Sequence, residues 1–178
     1  MKYIKTSLLL FLLAALPVTA QQQLTLEQIW GGAFRTKGMD DLQAMKNTNQ
    51  YTVNANGKQV NLYDFATLNK VSTIIDAKDH QELKSGIDSY TFSPDEKKIL
   101  IATNSQYIYR HSFAADFYIY DTTAKSLVKL ADAKVQEPTF SANGTKVAYA
   151  QDNNLYVYDL ASKTAKQITT DGRKNEII

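Results

Sequence analysis

The chain has 178 residues and no cysteine, and its 20 basic and 18 acidic side chains give a formal net charge of +2. Without cysteine it can form no disulfide and carry no lipid-anchored N-terminal cysteine. The two histidines of the sequence, His80 and His111, are too far apart along the chain to suggest a zinc site. No basic run follows residue 20, which argues against nucleic acid as a partner.

Residues 1–20 predict a secretory signal peptide. Lys2 and Lys5 precede a mostly apolar run, and small residues end at Ala20 before the polar Gln21. The apolar run is too short to span a bilayer, so a retained membrane anchor is the weaker alternative. We expect cleavage between Ala20 and Gln21, a secreted or periplasmic protein, and no membrane attachment afterwards. Cleavage would leave 18 basic and 18 acidic side chains, and so no formal net charge.

Residues 21–50 predict a short helix followed by a lead-in segment. Thr25 is suited to cap the helix, and Gln28 three residues later completes a weak capping box. The apolar side of this helix is supplied by Leu26, Ile29 and Trp30. We interpret Trp30 as a packing residue of the helix rather than a ligand contact.

Residues 51–178 predict antiparallel strands, because apolar residues alternate with polar ones between frequent turns. Two stretches are repeated: residues 92–102 match 140–150, and residues 117–130 match 155–168. Each copy accounts for four strands over about forty to fifty residues, the size of a β-propeller blade. We therefore expect an all-β fold, a partial β-propeller of about three blades with four antiparallel strands each.

Tight turns connect the predicted strands. Ser93-Pro-Asp-Glu96 and Ser141-Ala-Asn-Gly144 occupy equivalent places between the first and second strands of a copy. Asn143-Gly144 is suited to the positive φ of such a turn. Asn143-Gly-Thr145 also matches a glycosylation acceptor, which the turn role makes the weaker interpretation. Val60, Leu62 and the pair Tyr63-Asp64 form a fainter third copy of the Tyr-Asp element.

Three blades are too few to close a ring, since closed propellers have about four to eight. Open blade faces are unfavourable in a soluble protein. We expect either a segment of a longer protein or an assembly of several copies, and favour the segment.

The two clear copies differ in one hairpin. Four residues, 151–154, separate the repeated halves of the later copy, but fourteen residues, 103–116, separate those of the earlier copy. The longer connection contains Arg110, flanked by the aromatic residues Tyr107, Tyr109 and Phe113. A guanidinium held there could donate to a carbonyl oxygen or a carboxylate. The alternatives are a solvated arginine or a pair with Asp116 or Asp121. His111 is a weaker candidate for binding.

No motif for covalent catalysis is present. The sequence has no Gly-x-Ser-x-Gly elbow, and no Ser, Asp and His in the order that a hydrolase needs. It also has no glycine loop of the kind that binds phosphate. We predict no catalytic residue, no metal site and no cofactor in these residues.

Residues 105–113 with the following Tyr118-Ile-Tyr-Asp121 resemble the propeller arm of the dipeptidyl peptidase IV group of prolyl-oligopeptidase-like serine peptidases. Residues 25–35 are similar to the start of mature bacterial members. Three later segments resemble the second blade of the family: 138–141, 152–156 and 168–172. Such enzymes join an N-terminal propeller to a C-terminal α/β-hydrolase domain. The resemblance implies a parent enzyme that removes Xaa-Pro or Xaa-Ala dipeptides from peptide N-termini.

The resemblance also implies that Arg110 binds a backbone carbonyl of the substrate near the scissile bond. The glutamate pair of the family follows a segment like residues 171–178, so Glu176 precedes that pair and is not part of it. The expected partners are a peptide substrate in the full-length parent and a hydrolase domain absent from these residues, with a homodimer of the parent as a further candidate. Alone, the chain would be inactive. The alternative is a non-catalytic periplasmic propeller that binds peptides or a protein.

Overall fold

The computed structural model describes residues 24–36 and 41–174, so the predicted signal peptide with Ala20 and Gln21 lies outside the described residues. The chain divides into two compact units, residues 1–38 and 39–178. No helix in the described part is long and apolar enough to cross a membrane.

The first unit contains one short helix, α1 (Leu26–Trp30). The predicted capping box is confirmed: the Thr25 hydroxyl accepts from the Gln28 N–H at 3.2 Å, and the Gln28 side chain accepts from the Thr25 N–H at 3.1 Å. The packing expected of Trp30 is not found within this unit, since its side chain is 84% exposed.

The second unit contains three four-stranded antiparallel sheets in residues 41–174, each with its strands in chain order. This confirms the predicted all-β fold of three blades, and the first sheet begins at Leu42, ahead of residue 51. Blade 1 consists of β1 (Leu42–Ala44), β2 (Gln50–Ala55), β3 (Gln59–Asp64) and β4 (Lys70–Asp76); blade 2 of β5 (Ser89–Phe92), β6 (Lys98–Tyr107), β7 (Phe113–Asp121) and β8 (Ser126–Lys129); blade 3 of β9 (Gln136–Phe140), β10 (Lys146–Gln151), β11 (Asn154–Asp159) and β12 (Thr164–Gln167). Two short 3-10 helices, Ala77–Asp79 and Gln81–Leu83, lie between blades 1 and 2.

The turn between the first and second strands recurs in all three blades at a spacing of 48 residues. The backbone N–H of Met45, Ser93 or Ser141 donates to the carbonyl five residues later, at 2.9, 2.8 and 2.8 Å. The predicted turns of blades 2 and 3 are confirmed, with the left-handed position filled by Glu96 (φ 58°) and Gly144 (φ 68°).

The turn between the third and fourth strands is capped by an aspartate in each blade. The Oδ1 atoms of Asp64, Asp121 and Asp159 each accept backbone N–H bonds from the residues two and three positions later, at 2.8–3.0 Å. These donors lower the pKa of each carboxyl below its ordinary value. The faint third copy at Tyr63-Asp64 is thus a structural repeat.

Blade 2 is buried on both faces because it lies between the other two blades. Ile99 and Ile101 belong to the apolar cluster shared with blade 1, whereas Leu100 and Ala102 belong to the cluster shared with blade 3. The continuous apolar run of β6 follows from this double burial, since neighbouring side chains of a strand point to opposite faces.

Candidate functional site

The ten extra residues of blade 2 extend its central hairpin well past the length found in blade 3. In blade 3, β10 and β11 are joined by Asp152 and Asn153, both at positive φ (49° and 62°), as a tight two-residue turn requires. In blade 2, pairing continues from Thr103↔Asp116 through a register shift to Tyr107↔Phe113. We call residues 104–115 the arm.

The tip of the arm is a tight turn that carries both predicted binding residues. The backbone N–H groups of Ile108 and Tyr109 donate to the carbonyl of Ser112 at 2.8 and 3.1 Å. Arg110 and His111 lie within this turn, and both side chains are exposed. The turn places Arg110 and His111, which are adjacent in sequence, together at the tip of the arm. Their binding roles stay predictions.

Arg110 forms none of the ion pairs proposed as its alternative roles. Asp116 pairs instead with Lys129 and Lys134, at 3.7 and 3.4 Å, and Asp121 pairs with Lys98 at 3.7 Å. Among residues 24–36 and 41–174, no carboxylate lies within 4.0 Å of the Arg110 guanidinium. Its donors are therefore available for a ligand as far as the described part extends.

The aromatic residues near Arg110 support the arm from below rather than burying the guanidinium. The rings of Tyr107 and Phe113 lie 5.9 Å apart, and Phe113 stacks on Phe117 at 6.3 Å and packs against the core. Tyr107 and Tyr109 are 75% and 78% exposed. These side chains therefore leave the Arg110 guanidinium open to solvent.

A cluster of four polar residues, which we call the base cluster, lies where the arm leaves the blade: Asn104, Asp116, Lys129 and Lys134. The Asn104 amide donates to Asp116 Oδ2 at 3.1 Å, and Lys134 Nζ donates to the Asn104 carbonyl. Burial raises the pKa of Asp116, but the Asn104 hydrogen bond and the lysine charges outweigh it, so this pKa lies below its ordinary value.

Residues 93–178 match the family model described as "Dipeptidyl peptidase IV (DPP IV) N-terminal region". These residues, just under half of the chain, are thus similar to the N-terminal region of the dipeptidyl peptidase IV group.

Relatives and a solved structure show the same similarity. Dipeptidyl aminopeptidase B of Saccharomyces cerevisiae is 38% identical over 87 residues, covering 48% of this chain and 10% of that protein. A probable dipeptidyl peptidase 4 of Emericella nidulans is 32% identical over 132 residues, covering 72% and 16%. The crystal structure of Porphyromonas gingivalis dipeptidyl peptidase 4 superposes with a TM-score of 0.79 at 30% identity, covering 88% of this chain and 23% of that chain. The chain therefore spans less than a quarter of these proteins.

The base cluster could not be predicted from local sequence. Asn104, Asp116 and Lys134 are up to thirty residues apart, and no spacing rule joins them. One weak signal exists: Asp116 is a charged residue inside β7, whose other residues before the final Asp121 are apolar or aromatic.

Two adjoining depressions lie away from the arm, beside the 3-10 helices between blades 1 and 2. Their volumes are about 560 and 520 Å³, and both are lined by Gln59, Asp76, Lys78 and His80. The His80 ring packs edge-on against Tyr120 with centroids 5.7 Å apart, a packing role for this histidine. No group of three or more potential metal ligands occurs among the described residues.

Proposed function

We propose that this chain is the N-terminal propeller segment of a secreted serine dipeptidyl peptidase that removes Xaa-Pro or Xaa-Ala dipeptides from peptide N-termini. In this proposal Arg110 positions the substrate by donating to a backbone carbonyl near the scissile bond. The observation that carries the proposal is the arm itself. It is present in one blade of three and presents an exposed arginine without a carboxylate partner in the described part.

The contribution of Arg110 would be orientation of the peptide. A guanidinium is planar, keeps its charge at any biological pH, and donates hydrogen bonds in a fixed plane. A carbonyl bound there is held at a set distance from a nucleophile elsewhere in the enzyme, which converts binding energy into reaction rate. One such hydrogen bond is worth about 1–3 kcal/mol, less than the cost of association, so further contacts must hold the peptide.

The proposal is tested in the full-length protein that contains this segment, beginning with the codons after residue 178. We expect an open reading frame that continues through a paired-glutamate segment and a Gly-x-Ser-x-Gly elbow. In that protein, Arg110→Ala should lower kcat/KM on an Xaa-Pro-p-nitroanilide by about 100-fold while the melting temperature stays unchanged. Lys166→Ala, on the exposed strand β12, is the matched control and should retain full activity. Unchanged kinetics for Arg110→Ala would refute the role of this residue.

A second function is favoured by the exposed apolar tip of the arm. Tyr107, Ile108 and Tyr109 are each at least half exposed, as in a surface that recognises a peptide or protein. The alternative is therefore a non-catalytic periplasmic propeller that binds such a partner through the arm. A purified full-length product that binds Xaa-Pro peptides without cleaving them, and loses binding on Tyr109→Ser, would support this alternative.

A further inference from the structure

The arm begins where the ladder between β6 and β7 is interrupted. Up to the pair Thr103↔Asp116, β7 is paired with β6. The next residue, Ala115, bonds across the other edge of β7, where Phe117 bonds to Leu130, and it pairs there with Val135 with N–H to carbonyl distances of 3.1 and 3.0 Å in the two directions. Two residues of β6, Asn104 and Ser105, lie opposite this single residue as a bulge. The β6–β7 ladder is interrupted there, so it does not by itself fix the angle of the arm.

Lys134 connects both strands at the base of the arm, β6 and β7, to the segment that leads into blade 3. Its Nζ donates to the carbonyl of Asn104, the bulge residue, whose φ is 55°. The same Nζ lies 3.4 Å from Asp116 Oδ2, which also accepts from the Asn104 amide at 3.1 Å. The Lys134 side chain is 25% exposed and that of Asp116 is 21% exposed, so these contacts are partly shielded from water.

Lys129, the other lysine of the base cluster, has a smaller part in this arrangement. Its Nζ lies 3.7 Å from Asp116 Oδ1 and makes its hydrogen bond to the Asp132 carbonyl, outside the arm. Lys134 alone of the two contacts the β6 strand of the arm within the described part. The two lysines therefore form a matched pair, both next to Asp116, of which one reaches the bulge.

We propose that Lys134 is a positioning residue that holds the arm at its bulge in the orientation that presents Arg110 to the substrate. The inference rests on the function proposed above for Arg110. The length of the arm explains why one side chain at its base matters: from Asn104 to Tyr107, where β6 ends, the arm spans about 10 Å at the rise of a strand, and the turn with Arg110 lies beyond. A tilt of about 10° at the bulge then displaces the end of the arm by about 2 Å, by the same strand rise. Displacements of this order lower the rate of an oriented reaction by about 10-fold or more.

The test is a double-mutant cycle in the full-length enzyme with Lys134→Met, Arg110→Ala and the combined variant. Lys134→Met should lower kcat/KM by about 10-fold, mainly through kcat, with a retained melting temperature. In the Arg110→Ala background the same change should lower kcat/KM by less than about 2-fold, because without the Arg110 guanidinium the position of the arm no longer affects the reaction. Lys134→Arg should recover most of the activity, and Lys129→Met should cost less than Lys134→Met.

A second readout is independent of catalysis. Amide hydrogen exchange of residues 105–114 in the same full-length protein should be faster in Lys134→Met than in Lys129→Met. If Lys134→Met fails to fold, Lys134→Ser, which removes the long donor but leaves a polar side chain, takes its place in both measurements.

The outcomes separate the two proposals. A large loss for Arg110→Ala together with full activity of Lys134→Met overturns the positioning role and leaves the proposed function intact. Additive losses in the cycle also overturn it, because Lys134 would then act independently of Arg110. Full activity of Arg110→Ala overturns the proposed function and, with it, this inference.

Discussion

Blades 2 and 3 are built from the same repeat, yet they differ in burial and in the length of one hairpin. Ile99, Leu100 and Ile101 of blade 2 are almost fully buried, whereas Ala148, at the position equivalent to Leu100, is exposed. The central hairpin closes with two residues in blade 3 and carries the arm in blade 2. The repeat therefore supplies a rigid frame, and the differences supply the interfaces and the candidate site. Loops that vary on a constant scaffold are where binding residues usually occur.

The largest expected effect comes from making the two hairpins the same. Thr103↔Asp116 in blade 2 is equivalent to Gln151↔Asn154 in blade 3, so residues 104–115 can be replaced by Asp-Asn, the turn of blade 3. In the full-length enzyme we expect kcat/KM on an Xaa-Pro substrate to fall by about 1,000-fold, because Arg110 and the whole arm are removed.

Stability should fall by about 1–3 kcal/mol in this variant, because the buried Val135 loses its hydrogen bonds to Ala115. Circular dichroism and urea unfolding would measure that cost, and a same-length arm with residues 107–111 changed to Gly and Ser would control for it. An armless enzyme with native kinetics would show that the arm takes no part in the reaction.

The difference in burial between the blades predicts the next effect. Leu100 is 2% exposed in the cluster shared by blades 2 and 3. Leu100→Ala should therefore lower the free energy of unfolding by about 3 kcal/mol through lost contacts and a cavity. The reverse change at the equivalent exposed position, Ala148→Leu, should alter it by less than about 0.5 kcal/mol in this chain. Urea unfolding of both variants beside the wild type measures the contrast.

The same pair of variants is informative in the longer protein. If a further blade covers the outer face of blade 3 there, Ala148→Leu should become destabilising by about 1–3 kcal/mol, because extra methyl groups would be forced into a packed interface. Equal effects of the two variants in the 178-residue chain would contradict the difference in burial.

Much of this comparison could be predicted from sequence, because the features that repeat are local. Blades 2 and 3 each have a serine at the first turn and an aspartate at the end of the third strand. These local residues predict the strands and turns of both blades correctly. The sequence does not indicate the first turn of blade 1, because Met45 stands where the other copies have serine, although its backbone makes the same hydrogen bond. The predicted lead-in segment, residues 21–50, therefore contains β1.

The candidate site could be predicted only in part, for a physical reason. The length difference between the two copies predicts where the arm lies and indicates Arg110 as a candidate binding residue. The bulge, the pairing of Ala115 with Val135 and the contact of Lys134 with Asn104 depend on how blade 3 packs beside blade 2. Such contacts between distant residues follow from the three-dimensional arrangement, and a single sequence carries no local pattern for them.

The smallest expected effect concerns the aspartate turns that the two blades share. Asp121 in blade 2 pairs with Lys98 at 3.7 Å, and the equivalent Asp159 in blade 3 pairs with the more exposed Lys146 at 3.9 Å. Backbone N–H donors lower the pKa of both carboxyls in the folded state. Each therefore stabilises the fold above the unfolded pKa of about 3.9, and this stabilisation is lost as pH falls through the lower folded value.

Asp121→Asn keeps an oxygen acceptor for the turn but removes the titrating group, so it should reduce the slope of stability between roughly pH 5 and pH 2. The reduction should exceed that in Asp159→Asn, because the Asp121 pair is less exposed to screening by water. Urea unfolding at several pH values measures both slopes. Equal slopes would mean that the two turns are electrostatically equivalent, and that blades 2 and 3 differ in their packing and in the arm but not in their shared turns.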